Sequence, residues 1–325
     1  MNINKNRAYA ASFVGVFLIY ALIEILFQLN IFNRYIMSVL RLVTINVILA
    51  VSLNITVGNL GQINLGHAGF MSIGAYSFSL FLKSGLIPGM AGYFTALLIA
   101  GFSAYIVSFL IGLPALRLKG DYLAIVTLAF GEIIRVLIES FEFTGGAQGL
   151  SGIPKMQNFT IMYFIAALSV SLMYSVMTSR HGRAVLAIRE DEIAAEASGI
   201  DVTKYKTFAF TLSAFFAGIA GGMYAANIGV IGARVFDYNR SFDILVMVVL
   251  GGLGSFTGAI LSSTVLTIIP EMLRQFSDYR MIVYALVLIM MMIFRPVGLL
   301  GREEFSINSL LNFLKRKFER SSKNE

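Results

Sequence analysis

The side chains of this sequence that could do chemistry are few and set apart. Asn59, Gln62, Asn64 and His67 gather three amides and an imidazole in the glycine-rich stretch from Gly58 to Phe70. Buried groups of this kind need partners, which can be other helices or a zwitterionic solute. Glu132, Arg135 and Glu139 recur at i, i+3 and i+7, on one face of a helix. The remaining inventory is thin. The chain has no cysteine, which excludes disulfides, thiolate metal sites and cysteine nucleophiles together. Its two histidines, His67 and His181, are too few and too far apart for a histidine metal site. No G-x-x-x-x-G-K-[ST] stretch is present to cradle nucleotide phosphates. A membrane enzyme would need His, Asp or Cys clustered near one interface, and none is grouped so. No catalytic residue and no metal ligand is assigned.

Composition says what must position these groups. Apolar residues make up 57% of the 325 and charged ones 13%, whereas a soluble domain carries about a quarter charged. Apolar runs cover roughly 10–29, 36–57, 67–82, 90–113, 122–141, 158–178, 207–228, 242–269 and 279–294. Most approach the ~20 residues that span hydrocarbon as a helix. The first run follows Lys5 and Arg7 but lacks a small-x-small cleavage site near Glu24, so it reads as a retained span. The expected fold is an all-α integral membrane protein, a polytopic bundle of about eight to ten passes. Residues 1–300 would form the transmembrane domain, and 301–325 a basic tail that either lies on the membrane surface or is disordered. The net charge of +7 is distributed as membrane orientation requires and does not call for nucleic acid.

The run 242–269 is interrupted from Gly251 to Gly258. Glycine at membrane depth is tolerated where protein or a polar cavity covers the backbone, so this segment reads as broken or re-entrant. If it turns back, both termini, the Arg117–Asp121 loop and the 179–206 loop fall on one side with most of the Lys and Arg. That side is then cytoplasmic. A single kinked crossing would instead send the basic tail outside. Val57-Gly58-Asn59-Leu60-Gly61 also echoes Leu250-Gly251-Gly252-Leu253-Gly254. Paired glycine interruptions of this kind point toward a substrate pathway, although common glycine usage in membrane helices produces such echoes too.

Counted from Tyr122, Glu132 lies about 15 Å deep, near the midplane, where charges are expensive and paired. Two readings of Glu132 and Arg135 stay open: an internal pair locking helices together, or a polar lining of a translocation path. For His67 the alternatives are an interhelical hydrogen bond or contact with solute. Glu24, Arg41 and Asp243 are read as helix-end or interhelical partners.

The loop from Ser179 to Lys206 is the one long polar stretch between spans. Good helix formers fill it from Arg183 to Gly199, a C′ glycine, after which Asp201 can cap the next helix. One short alanine-rich surface helix is expected, small enough in its side chains to approach a partner groove.

Glu196-Ala197-Ser198-Gly199 resembles the EAA loop of ABC importer permeases, the coupling helix that docks on an ATPase subunit. The resemblance assigns Arg189, Glu192, Ala194, Ala195, Glu196, Ala197 and Gly199 to that helix. Gly58–Phe70, Gly120–Ala124, Phe130–Arg135, Thr144–Pro154 and Gly182–Tyr224 are similar, in order and spacing, to the branched-chain amino-acid permease family, M-type (LivM-like). The family implies a pore subunit for leucine, isoleucine or valine with no chemistry of its own. It implies a second, related permease, two P-loop ATPase subunits that carry the ATP and Mg, and an extracytoplasmic solute-binding protein. It also implies a bacterial inner-membrane location. The candidate substrate path comprises Asn59, Gln62, Asn64, His67, Glu132, Arg135, Gly145, Gly146 and Gly149. Urea or short amides are the alternative substrate, since urea permeases share these motifs. A secondary transporter using Glu132 would leave the alanine-rich loop unexplained.

Overall fold

In lipid, helices gain little by hiding apolar surface from equally apolar tails, so close packing must come from small residues and polar links. The computed structural model of this chain is built that way. It describes residues 3–29, 33–118 and 120–273, with 285, 286, 289, 290, 293, 298, 299 and 301 beyond them. Most of the expected run at 279–294, and the tail 301–325 beyond its first residue, lie outside the described residues.

The bundle helices are α1 (Ile3–Gln28), α2 (Arg34–Asn54), α3 (His67–Lys83), α4 (Gly89–Ala115), α5 (Asp121–Ser140) and α6 (Phe159–Thr178). Two short helices, α7 (Arg180–Glu190) and α8 (Glu192–Ala197), form the long polar loop. The bundle resumes with α9 (Val202–Ile228), α10 (Tyr238–Gly251) and α11 (Phe256–Met272). No strand forms among the described residues; a lone antiparallel bridge joins Leu150 to Ile231. This is an all-α polytopic membrane fold. Among the described residues, four helices, including α2 with its extension to Asn59 and α9, are long and apolar enough to cross a bilayer alone.

Helix α9 is the buried axis, and glycines bring its neighbours onto it. A methyl group at Gly74 of α3 would overlap the backbone of Gly218 in α9, and one at Gly221 would overlap that of Met71. Across α9, Gly218 faces Ala100 and Ala104 of α4 with equally little room. Polar links complete the centre: Ser213 Oγ of α9 donates to Ser52 O of α2 at 2.6 Å, and Asn46 Nδ2 of α2 donates to Thr267 Oγ1 of α11 at 2.8 Å.

The run 242–269 turns back on itself, as the broken reading expects. Gly252–Ser255 makes the turn, with Ser255 Oγ accepting from Gly258 N–H at 3.0 Å to cap α11. Helices α10 and α11 then lie antiparallel, Gly251 against Gly258 and Met247 O accepting from Ser262 Oγ. The far end of α11 reaches the start of α2, where Tyr35 hydrogen-bonds Glu271. By Leu299 the chain is back at the turn, since Leu299 N–H donates to Leu250 O at 2.8 Å.

The bundle therefore has two distinct ends. One carries α7, α8 and the turn at Gly252–Ser255. At the other, residues 150–156 run along the end of α9, from Leu150–Ile231 to Met156 N–H donating to Ala226 O at 2.9 Å. There Arg41 donates to Asn227 Oδ1 at 2.8 Å and Gln157 O at 3.3 Å, beside a cavity of about 330 Å³ that Glu24 and Arg34 also line.

Candidate functional site

The polar loop holds two helices where one is expected. Asp191 adopts an extended backbone and its carboxylate accepts from Ile193 and Ala194 N–H at 2.9 and 3.0 Å. An N-cap inside the stretch thus ends α7 and begins α8, because a short acidic side chain competes with the helical ladder for the same N–H groups. Gly199 closes α8 at φ +84°, with Ile200 N–H reaching back to Ala195 O at 3.1 Å. Asp201 Oδ1 then caps α9 through Lys204 N–H at 3.0 Å.

The faces of α8 divide cleanly. Ile193, Ala194, Glu196 and Ala197 are exposed, Ile193 at 78%, whereas Ala195 is 4% exposed and packs on its own chain. Ala195, expected among the docking residues, is a core residue of the loop. Glu192 pairs with Lys206 Nζ at 2.9 Å, and the Lys206 side chain is 5% exposed. That pair ties α8 to the first turns of α9.

Beside α7 the two glycine interruptions meet. Helix α2 loosens into a π-helical turn over Ile55–Asn59, a geometry that recurs at functional sites. Asn54 Oδ1 accepts from Gly254 N–H at 2.9 Å, and its Nδ2 donates to Ser255 O at 3.0 Å. A methyl at Gly58 would overlap Gly254 N. Arg189, near the end of α7, lies against both breaks: a methyl at Gly61 would sit 3.0 Å from its Cγ, and one at Gly254 3.0 Å from its Nη1.

From this junction the polar row Asn59–His67 climbs into the bundle. Asn64 Oδ1 accepts from Gly66 N–H at 2.9 Å, and His67 Nε2 lies 2.9 Å from Ser52 Oγ. Gln62 Oε1, Asn64 Nδ2 and His67 Nδ1 are buried and find no partner among the described residues. Leu65 N–H donates to Thr127 Oγ1 at 3.1 Å and Ala68 N–H to Ser241 Oγ at 3.0 Å, so α5 and α10 both close on the start of α3.

Next to that contact, Glu132 and Arg135 form an internal pair. Arg135 Nε donates to Glu132 Oε2 at 2.7 Å and its Nη1 to Glu139 Oε2 at 3.2 Å. The other oxygen of Glu132 accepts from Tyr238 N–H at 2.9 Å, placing a carboxylate at the N-terminus of α10. Ala68, Gly69, Gly131, Glu132, Tyr238 and Ser241 border a narrow crevice there.

Gly145, Gly146 and Gly149 do not join the amide row. They lie past the end of α5, roughly 20 Å along it from Thr127, where a methyl at Gly149 would overlap Ile231 O and one at Gly146 would meet Glu139 O at 3.6 Å. Their positive φ values build a tight turn at the opposite end of the bundle. Asn54, Lys206 and Ile193 join the site in the fold without standing out in the sequence. A buried amide inside an apolar run, or a lysine where a span begins, is the signal that could mark the first two.

Residues 35–294 match the family described as branched-chain amino acid transport system / permease component. The chain belongs to this family. Among curated relatives, the permease resembles the high-affinity branched-chain amino acid transport system permease protein LivM of Salmonella typhimurium and that of Escherichia coli. Each is 39% identical over 264 residues, 70% of this chain and 61% of the relative. The chain thus spans about three-fifths of the length of these relatives. LivH of Escherichia coli, a permease protein of the same transport system, is 30% identical over 146 residues, 44% of this chain and 46% of LivH. Among solved structures, PsaBC from Streptococcus pneumoniae in complex with Fab aligns at a TM-score of 0.44. Identity is 14%, over 84% of the permease and 95% of that chain, too distant a likeness to carry an argument. No group of three or more metal-ligating side chains gathers among the described residues.

Proposed function

We propose that this permease is one pore-forming subunit of an ABC importer for leucine, isoleucine and valine. Its match to the branched-chain permease family over residues 35–294 carries the reading. The similarity extends both to LivM and, more weakly, to LivH, which favours a translocation path formed between this chain and a second, related permease.

The chain itself performs no reaction and binds no cofactor. Two separate ATPase subunits hold ATP and Mg, and an extracytoplasmic binding protein delivers solute. The face of α8 bearing Ile193, Ala194 and Ala197 is exposed, short and small-sided, suited to a groove on an ATPase. Arg189, Glu192, Glu196 and Gly199 orient it. ATP-driven approach of the ATPases would displace α7 and α8, and the displacement would switch the path between outward and inward access. Solute would pass near the amide row Asn59, Gln62, Asn64 and His67, whose unpartnered polar atoms can accommodate a zwitterion. We place the protein in the bacterial inner membrane, with α7, α8 and both termini cytoplasmic, because the basic residues concentrate there.

The test is uptake by the reconstituted complex, with its ATPases and binding protein, against a panel of amino acids and urea. Competition by leucine, isoleucine and valine together is the expected result. Uptake confined to urea would overturn the substrate assignment, and uptake that persists without the ATPases would overturn the importer class.

A further inference from the structure

We infer that Arg189 is the positioning residue through which α7 and α8 work the two glycine breaks as one gate. The inference rests on the proposed importer function and goes beyond it by naming the mechanical link.

Three observations converge on this side chain. Its aliphatic stem crosses Gly61, where a methyl would lie 3.0 Å from Cγ and 3.8 Å from both Cβ and Cδ. Its guanidinium reaches Gly254, where a methyl would lie 3.0 Å from Nη1, 3.5 Å from Asn59 Oδ1 and 3.6 Å from Gly58 O. The breaks are in turn fastened to each other, by the two hydrogen bonds of Asn54 and the contact of Gly58 with Gly254. One arginine therefore touches both halves of a junction whose members lie far apart in the chain.

The backbone on either side is suited to move. Gly61 and Gly254 have φ of +75° and +98°, a region glycine enters and leaves without steric cost. Neither has a side chain of its own through which α7 could push, so the Arg189 stem fills that role. Guanidinium is a rigid planar fork of five donors, and the acceptors beside Gly254 are a backbone carbonyl and an amide oxygen. A displacement of α7 would thus be imposed on Gly58–Gly61 and on Gly252–Gly254 together. The second tie of the loop, Glu192 to Lys206, holds α8 to α9 and leaves the α7 end as the one that engages the breaks.

The test measures leucine uptake, ATP hydrolysis and melting temperature of the reconstituted complex carrying Arg189→Ala, Arg189→Lys or Gly61→Ala, and the Arg189→Ala/Gly61→Ala pair. Arg189→Ala should lower uptake per ATP hydrolysed at least tenfold, a ratio that a merely structural residue would not move. Arg189→Lys keeps the stem on Gly61 and should retain more of the ratio than Ala. Gly61→Ala pushes against the arginine stem and also strains a φ of +75°. In the Arg189→Ala background the part of its effect on the ratio that passes through the stem should therefore vanish, leaving the backbone strain as a lower melting temperature. Uptake per ATP within twofold of wild type in Arg189→Ala would overturn the inference. If that variant does not fold, Arg189→Lys and Gly61→Ala decide in its place: both must lower the ratio, and a normal ratio in either overturns the link. Ala197→Trp serves as the control for the proposed importer function. Loss of uptake there with a normal ratio in the Arg189 variants refutes the link alone, whereas normal uptake there refutes the coupling surface itself.

Discussion

Asn54 grips the backbone on both sides of one peptide unit, accepting from Gly254 N–H at 2.9 Å and donating to Ser255 O at 3.0 Å. The amide is fully buried and replaces the partners that the turn at Gly252–Ser255 takes from its own backbone. A glycine break inside a membrane bundle is viable because such a side chain answers it. Asn54→Ala would strand a buried donor and a buried acceptor, at about 1–3 kcal/mol for each group left unmade. A lower melting temperature of the detergent-solubilised protein is the expected outcome. Asn54→Asp keeps the acceptor for Gly254 but sets a second oxygen against Ser255 O in a fully buried site. A carboxylate without a partner is costly there, so this variant should melt no higher than Asn54→Ala; an unchanged melting temperature for Asn54→Ala would show that water replaces the amide.

A second prediction concerns the bundle centre. Gly74 and Gly218 meet backbone to backbone, with no room for a methyl at either. Gly74→Ala must separate α3 from α9, and the rigid neighbours are main-chain atoms that cannot step aside. Overpacking of this kind costs typically about 1–3 kcal/mol. Gly152, where nothing lies within reach of an added methyl, provides a contrast, although its φ of +73° adds strain of its own. The yield of folded protein should drop much further for Gly74→Ala than for Gly152→Ala; equal yields would refute close packing as the role of Gly74.

Ala195 and Ala197 lie two residues apart on α8 and should respond in opposite ways. Ala195 is buried against its own chain, and Ala197 is exposed. Ala195→Leu should lower the melting temperature of the isolated protein. Ala197→Leu should leave that temperature unchanged and reduce uptake by the assembled importer several-fold. Melting curves of the protein alone, beside uptake by the complex, separate the two; destabilisation by Ala197→Leu would place that residue in the core of the loop as well.

How far the sequence discloses this molecule depends on the range of the interaction involved. Apolar length locates α3 within a residue of its ends, because His67 and Lys83 flank an uninterrupted run. It locates α4 and α6 nearly as closely. The split between α7 and α8 escapes it, since one aspartate among good helix formers changes no periodicity while it recruits Ile193 and Ala194 N–H. A helix as short as α8 shows too little pattern to tell Ala195 from Ala197. The echo between Val57–Gly61 and Leu250–Gly254 is visible as composition, but its meaning lies in contact across the fold through Asn54. Glu132 and Arg135 could be paired from spacing alone, whereas the reach of Glu132 to Tyr238 N–H depends on where α10 begins.

The pair Glu132–Arg135 yields the most discriminating prediction, because each partner does a second job. Arg135 serves two carboxylates, Glu132 at 2.7 Å and Glu139 at 3.2 Å. Glu132 serves Arg135 and the first N–H of α10. Glu132→Gln keeps an oxygen for Tyr238 and loses the charge on Arg135, which retains Glu139. Arg135→Gln leaves two carboxylates facing each other, with Arg234 only 3.5 Å from Glu139 but itself largely exposed. The arginine variant should therefore be the worse of the two. Removing one partner of a fully buried pair costs roughly 3–5 kcal/mol. These side chains are about a quarter exposed, so solvent reduces that to roughly 1–3 kcal/mol. In Glu132→Gln/Arg135→Gln only Glu139 of the three remains charged, with Arg234 still beside it, and the double variant should be more stable than Arg135→Gln alone. Melting temperatures of the four proteins, with uptake measured on each, decide the matter. Full stability in both single variants, with uptake lost, would move Glu132 and Arg135 from the frame of the bundle onto the path of the solute.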